Sequence, residues 1–156
     1  MNTRDNLKNA DTALRENGEI AVLTAGISMR PMLREHQDIV IITRAKKKLK
    51  RNDVPLYGRP GSNKFVLHRI IKVIDGGYLI RGDNLYCNEF VKDEQIIGVL
   101  KCFYRSGKYY DCEKSAAYKL YTVYIRASYP FRRFWRLKLR PVLGRIKRLL
   151  LDRKKS

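Results

Sequence analysis

From residue 19 the chain alternates short apolar runs with polar or glycine-bearing breaks, a spacing that suits strands better than helices. The runs are EIAVLTA (19–25), DIVIIT (38–43), DVPLYG (53–58), KFVLHRIIKVI (64–74), GYLIRGD (77–83), QIIGVLKCFY (95–104) and KYYDC (108–112). Pro55 cannot donate a ladder hydrogen bond, which puts the third run at a sheet edge or a bulge. Asp75-Gly76-Gly77 joins the fourth and fifth runs as a hairpin, and Arg105-Ser106-Gly107 joins the last two. Between the first two runs, Gly26 to Leu33 reads as a turn followed by a short helical piece. Ahead of the strands, Leu7, Ala10 and Leu14 share one side of a short, weakly capped helix over 5–17. From about residue 114 the period becomes helical. The expected organisation is a helical segment (1–18), an all-β unit (19–113) and a helical tail (114–156).

In the tail, Tyr118, Tyr121, Ile125 and Tyr129 recur at spacings of three and four. After Pro130, Phe131, Phe134, Trp135, Leu139, Val142, Leu143, Ile146, Leu149 and Leu150 gather near one face. Arg132, Arg133, Arg136, Arg140, Lys147 and Arg148 take much of the rest, and Pro141 and Gly144 should kink the helix. Aromatic and leucine residues opposite arginines are the pattern of a helix lying in a bilayer interface. Packing of the apolar face on the β-unit and binding of nucleic acid are the other readings.

Charge sharpens this division. The net charge of +19 splits unevenly: residues 1–113 hold 20 basic and 14 acidic side chains, whereas residues 114–156 hold 14 basic and one acidic. The tail is a polycation and expects an anionic partner. An anionic membrane surface is the first expectation, ahead of nucleic acid. Cys87, Cys102 and Cys112 are odd in number and lack C-x-x-C spacing, which argues against a disulfide framework or a zinc site. The polar start MNTRDNLKNADTALRENGE has no apolar core of a signal peptide, and no run of about 18 apolar residues occurs. A cytoplasmic protein, peripheral on the inner membrane face, is expected.

Three segments bear chemistry. In Gly26-Ile27-Ser28-Met29-Arg30-Pro31-Met32-Leu33 a serine follows a strand and opens a turn, so its hydroxyl can be exposed and the amides after it can converge on an oxyanion. Its structural reading is a helix N-cap. In Val66-Leu67-His68-Arg69-Ile70-Ile71 a histidine interrupts an apolar strand. Imidazole can take the proton that makes a serine nucleophilic, although a strand histidine can equally be structural. In Gly82-Asp83-Asn84 an aspartate ends the next strand, where it can orient an imidazole or simply form a turn. His36, in polar Arg34-Glu35-His36-Gln37, is expected to be exposed and uninvolved.

In order along the chain, Gly26-Ile27-Ser28-Met29-Arg30-Pro31-Met32-Leu33, Asp38-Ile39-Val40, Lys50-Arg51-Asn52-Asp53-Val54, His68-Arg69-Ile70 and Gly82-Asp83-Asn84 resemble the motifs of type I signal peptidases and their relatives. Ile96-Ile97-Gly98-Val99-Leu100 resembles the last core strand of that family, and the resemblance spans roughly 20–101. It implies coiled antiparallel β-sheets and an endopeptidase that cleaves after small residues. Most bacterial members use a Ser–Lys dyad. Here His68 stands at the lysine position, as in the branch of archaea, the endoplasmic reticulum and some Gram-positive bacteria. By resemblance Ser28 is the nucleophile, His68 the general base and Asp83 the orienting carboxylate, with Met29 and Pro31 beside the substrate. Gln37-Asp38 replaces the usual Gly-Asp, and Glu89 alone can serve as the second acidic residue that many members carry after G-D-N. The N-terminal membrane anchor typical of the family is not seen. Self-cleaving repressors share the β-fold, but use lysine and carry a DNA-binding domain for which some 20 residues leave no room.

The expectation is therefore a serine endopeptidase of signal-peptidase-like type, requiring no metal or organic cofactor, with a peptide or protein substrate such as a leader peptide. A non-catalytic peptide- or lipid-binding module and a basic nucleic-acid binder remain as alternatives.

Overall fold

The computed structural model describes residues 12–45, 47–59, 65–139 and 141. It divides into two units, one ending at Leu120 and one beginning at Tyr121. In the first, a helical segment over 12–17 (α1) precedes nine strands: β1 (Glu19–Leu23), β2 (Ile39–Thr43), β3 (Pro55–Gly58), β4 (Phe65–Leu67), β5 (Arg69–Ile74), β6 (Gly77–Arg81), β7 (Glu89–Lys92), β8 (Ile96–Arg105) and β9 (Lys108–Asp111). Leu14 of α1 is fully buried, as its place on the apolar side requires. The rest of the helix expected over 5–17 lies outside the described residues.

The protein is mainly β, built of two curled antiparallel sheets. The larger runs β1-β2-β8-β3-β4 with β9 also paired to β8; the smaller runs β5-β6-β7. Bulges at Ile41/Ile42, Leu56/Tyr57 and Ile70/Lys72 shift the register, and each extra residue bends its strand and increases its twist. Pro55 is the first residue of β3, opposite Val99 of β8 and without a partner in β4, whose register begins at Leu56, so its missing N–H breaks no ladder bond; the bulge follows at Leu56/Tyr57. Both expected hairpins are present, with Gly76 at φ 75° in the β5–β6 turn and Ser106 and Gly107 at φ 50° and 73° between β8 and β9.

Two corrections bear on the site. The run 64–74 is not one strand. His68, Arg69 and Ile70 are 3%, 1% and 0% exposed. Three successive buried residues cannot belong to a strand with one wet face, whose side chains alternate. The chain instead leaves the large sheet after Leu67 and enters the small one at Arg69, with His68 at the crossing. Strand β7 was not expected. It is four residues long, and of these only Val91 is buried, too little to register as a period. The core joining the sheets is Leu49, Tyr57, Ile70, Tyr78, Ile80 and Val91, with Val66, Ile96 and Val99 against it.

The helical period near 114 appears as α2 (Ala116–Ala127), α3 (Tyr129–Phe134) and a π-turn at Trp135–Leu139. No helix among the described residues is long and apolar enough to cross a membrane.

Candidate active site

The loop after β1 is fixed from both ends. Gly26, at φ 80°, turns the chain out of the strand, a conformation that costs glycine nothing. Its amide donates to Glu35 Oε1 at 3.0 Å. At the far end Asp38, fully buried, accepts from the Arg34 amide at 2.7 Å and from its guanidinium at 2.6 Å and 3.1 Å. Thr24 Oγ1 donates to the Arg34 carbonyl. The Asp38-Ile39-Val40 motif is thus the lock on the loop that carries Ser28. Within it, residues 28–33 form successive turns and not a capped helix. Ser28 is half-buried. Among the described residues its hydroxyl has no hydrogen-bond partner, and no buried polar side-chain atom is left unsatisfied, so solvent reaches the hydroxyl.

The Gly82-Asp83-Asn84 turn clamps this loop. The Asn84 amide donates to the Ser28 carbonyl at 2.8 Å, and Asn84 Nδ2 to the Ile27 carbonyl at 3.1 Å. Gly82 is where Ser28 and His68 meet. A Cβ placed on it would lie 2.7 Å from the Ser28 carbonyl oxygen and 3.1 Å from both Cδ2 and Nε2 of His68. Glycine is required by this approach. The Nε2 edge of the imidazole and the backbone of Ser28 therefore flank a single residue.

The other ring nitrogen is held differently from expectation. His68 Nδ1 lies 3.0 Å from the Tyr57 hydroxyl. The Glu89 carboxylate, gripped by Arg59 through Nε at 2.9 Å and Nη2 at 2.5 Å, lies near that hydroxyl and raises its pKa. The negative charge of Glu89 favours turning the single phenolic proton toward it, and the phenolic oxygen then accepts from His68 Nδ1–H. In that tautomer Nε2 is unprotonated and lies against Gly82, the residue that also abuts the Ser28 carbonyl. Burial lowers the His68 pKa to about 4; the Glu89 and Asp83 carboxylates oppose the shift and the Arg59 guanidinium adds to it, each by less. The ring is thus a neutral base near neutrality. Burial and the adjacent carboxylate of Glu89 both raise the Tyr57 pKa, so the phenol stays protonated.

Asp83 does not hold the imidazole. It is buried in a two-bond ion pair with Arg69, Nε to Oδ1 and Nη2 to Oδ2, each at 2.8 Å. Arg69 also donates through Nη1 to the Asn52 carbonyl and the Tyr118 hydroxyl, both at 3.0 Å, and its guanidinium lies 5.6 Å from the Tyr118 ring centre. The physical reason is chain direction: Arg69 follows His68, points to the opposite side, and matches a planar carboxylate with a planar fork. Of the two residues expected beside a substrate, Pro31 is exposed, whereas Met29 is 5% exposed and fills the core. Its side chain offers a peptide almost no surface. His36 is exposed, as expected. Tyr57, Arg59, Gly82 and Asn84 were not singled out from sequence. Glu89 was noted only as an acidic residue at the right distance.

Among the described residues no group of three or more His, Cys, Asp or Glu can hold a metal ion. No protein-family model matches the chain, and no curated protein matches it.

Proposed function

We propose that this protein is a serine endopeptidase of signal-peptidase-like type, in which Ser28 is the nucleophile, His68 the general base and Tyr57 the group that fixes the imidazole. The observation that carries this reading is the convergence of the Ser28 backbone and His68 Nε2 on Gly82, with Nδ1 already committed to Tyr57. The order of the five motifs supports it: four of them turn out to hold the same small region together. Asp38 locks the Ser28 loop, Arg69 pairs with Asp83, Asn84 clamps Ile27 and Ser28, and Gly82 admits the ring.

In this reaction Ser28 Oγ attacks the scissile carbonyl as Nε2 takes its proton, and the imidazolium returns that proton to the leaving amine. Water then hydrolyses the acyl-enzyme by the same base. The Arg30 amide is committed to the Ile27 carbonyl, which leaves the Ser28 and Met29 amides to face the oxyanion. The strand end and loop that precede Ser28 expose apolar side chains: Leu23, Ile27 and Ile39 are 53%, 51% and 44% exposed, and Leu23 pairs with Ile39 across β1 and β2. Such a surface suits an extended peptide with apolar side chains, such as a leader segment. Cleavage of a panel of leader-like peptides, together with labelling by a fluorophosphonate, tests the proposal. Ser28→Ala should abolish both cleavage and labelling, and His68→Ala should reduce both at least a hundred-fold. Full cleavage by Ser28→Ala would overturn the assignment. A folded wild type that neither cleaves nor labels would favour a binding module on the same scaffold.

A further inference from the structure

Helix α2 has two non-polar faces. Tyr118, Thr122 and Ile125 are buried at 6%, 7% and 4% exposure. At about 100° per residue, Leu120, Val123, Tyr124 and Ala127 fall on the opposite side. The three large ones are 71%, 55% and 57% exposed. A soluble surface helix keeps that side polar. The apolar exposure continues past Pro130: Phe131 is 67% exposed, Phe134 55%, Trp135 47% and Leu137 51%. Seven large apolar side chains are thus presented to solvent within 18 residues of sequence, more than scattered surface residues would supply.

The charge between them is of one sign. No acidic residue occurs between Glu113 and Asp152. Arg126, Arg133, Arg136 and Lys138 are exposed among these apolar groups. Arg132 is half-buried and staples the bend, donating from Nε to Ser128 Oγ at 3.1 Å and from Nη2 to the Ile125 carbonyl at 2.9 Å. The bend therefore has a fixed local geometry, with Phe131 and Trp135 stacked at 6.5 Å between ring centres.

We infer that the segment 116–139 is an interfacial anchor that seats Leu120, Val123, Tyr124, Phe131, Phe134 and Trp135 in the headgroup region of an anionic bilayer, with the arginines on the lipid phosphates. Positive charge alone would suit nucleic acid equally. The exposed aliphatic and aromatic groups decide for lipid, because a phosphate backbone offers them no apolar medium. The inference is independent of the catalytic assignment.

Trp135 is the single tryptophan and reports directly on insertion. Full-length protein is mixed with vesicles of phosphatidylcholine containing 30% phosphatidylglycerol and, separately, with pure phosphatidylcholine. Co-flotation and a blue shift of Trp135 emission are expected only with the anionic vesicles. Brominated acyl chains should quench the shifted emission. Arg133→Gln with Arg136→Gln should weaken binding by about five-fold per residue, and Phe131→Ala with Leu120→Ala should weaken it while leaving its salt dependence in place. All four positions are exposed, so circular dichroism should be unchanged. Absence of flotation with anionic vesicles, equal binding to neutral ones, or steeply salt-dependent binding to duplex DNA without vesicle binding would each overturn the inference. Peptide cleavage by these variants in the absence of vesicles should match wild type, which separates failure of the anchor from failure of the active site.

Discussion

At the scale of single residues, Tyr57 stands against His68 Nδ1 where the sequence suggested Asp83, and Asp83 pairs with Arg69. The Tyr57 hydroxyl is the partner of His68 Nδ1, and with the phenolic proton turned toward Glu89 it accepts the Nδ1–H, so Tyr57→Phe keeps the ring's volume and removes that acceptor. The buried Nδ1–H is then left unpaired, at about 1–3 kcal/mol. The other tautomer, with its proton on Nε2, becomes competitive. We expect kcat/KM to fall by about 10²–10³-fold. The imidazole ¹⁵N shifts should move from a single Nδ1–H tautomer to a mixture, a change that loss of packing alone would not produce. Glu89→Gln removes only the charge near Tyr57 and should cost less. Asp83→Asn tests the converse. As an orienting carboxylate its loss would destroy turnover at unchanged stability. As the partner of buried Arg69 its loss strands a guanidinium, which costs about 3–5 kcal/mol in urea denaturation. Activity per folded molecule should then remain within about ten-fold of wild type. The pH dependence follows from the same environment. With the His68 pKa lowered to about 4 by burial, kcat/KM should rise with pH through about 4 and be flat from pH 6 upward. An acid limb centred near 6.5 would show a solvated ring.

At the scale of elements, the decisive object is the meeting of two turns. The Ser28 loop and the Gly82-Asp83-Asn84 turn touch backbone to backbone, with the imidazole against the same glycine. In Gly82→Ala the new methyl meets the Ser28 carbonyl oxygen at 2.7 Å, and a backbone atom cannot swing aside as a flexible side chain would. The turns must part, separating Ser28 from His68. We expect loss of cleavage by at least a hundred-fold alongside about 1–3 kcal/mol of destabilisation. Asn84→Ala removes one exposed bond to Ile27 and should cost only about 1 kcal/mol. Much of this arrangement was legible in the sequence. Alternating runs located seven strand segments, Asp75-Gly76 marked a hairpin, and Ser28, His68 and Asp83 stood out by motif. In the Gly82-Asp83-Asn84 turn it was Asp83, and not Gly82, that the motif brought forward. What stayed hidden has physical causes. Periodicity describes one strand at a time, so it could not show that His68 sits where the chain changes sheets. Tyr57 reads as an ordinary strand aromatic, since a phenol's partner is set by tertiary contact. An aspartate beside G and N looks the same whether it faces an imidazole or an arginine, and only the position of Arg69 decides.

At the scale of the whole molecule, the buried imidazole of His68 should also make the fold sensitive to acid. In the unfolded chain His68 takes a proton near its ordinary value of 6.5, whereas in the folded chain it does so only near 4. Above 6.5 both states are neutral and the residue adds no pH dependence. Below 6.5 the unfolded chain binds a proton that the native state refuses. Stability therefore falls with decreasing pH, by at most about 1.4 kcal/mol per unit, until the fall levels near pH 4. Glu89 acts in the same direction at lower pH. The guanidinium of Arg59 holds its carboxyl below the usual range, so the stability it contributes is lost as that carboxylate is protonated. The net charge of +19 adds a background that grows as carboxylates neutralise, because a crowded polycation favours expansion. The two sources separate experimentally. Urea midpoints from pH 7.5 to 4.5 should decline for wild type over the window between 6.5 and 4. In His68→Gln, which carries no titrating ring, the same series should be nearly flat to pH 5. Raising the ionic strength should leave the histidine contribution intact, since the ring is buried, and weaken only the repulsion among exposed charges. Equal slopes in wild type and His68→Gln would mean that the imidazole is solvated, and the neutral base facing Ser28 would then lose its physical basis.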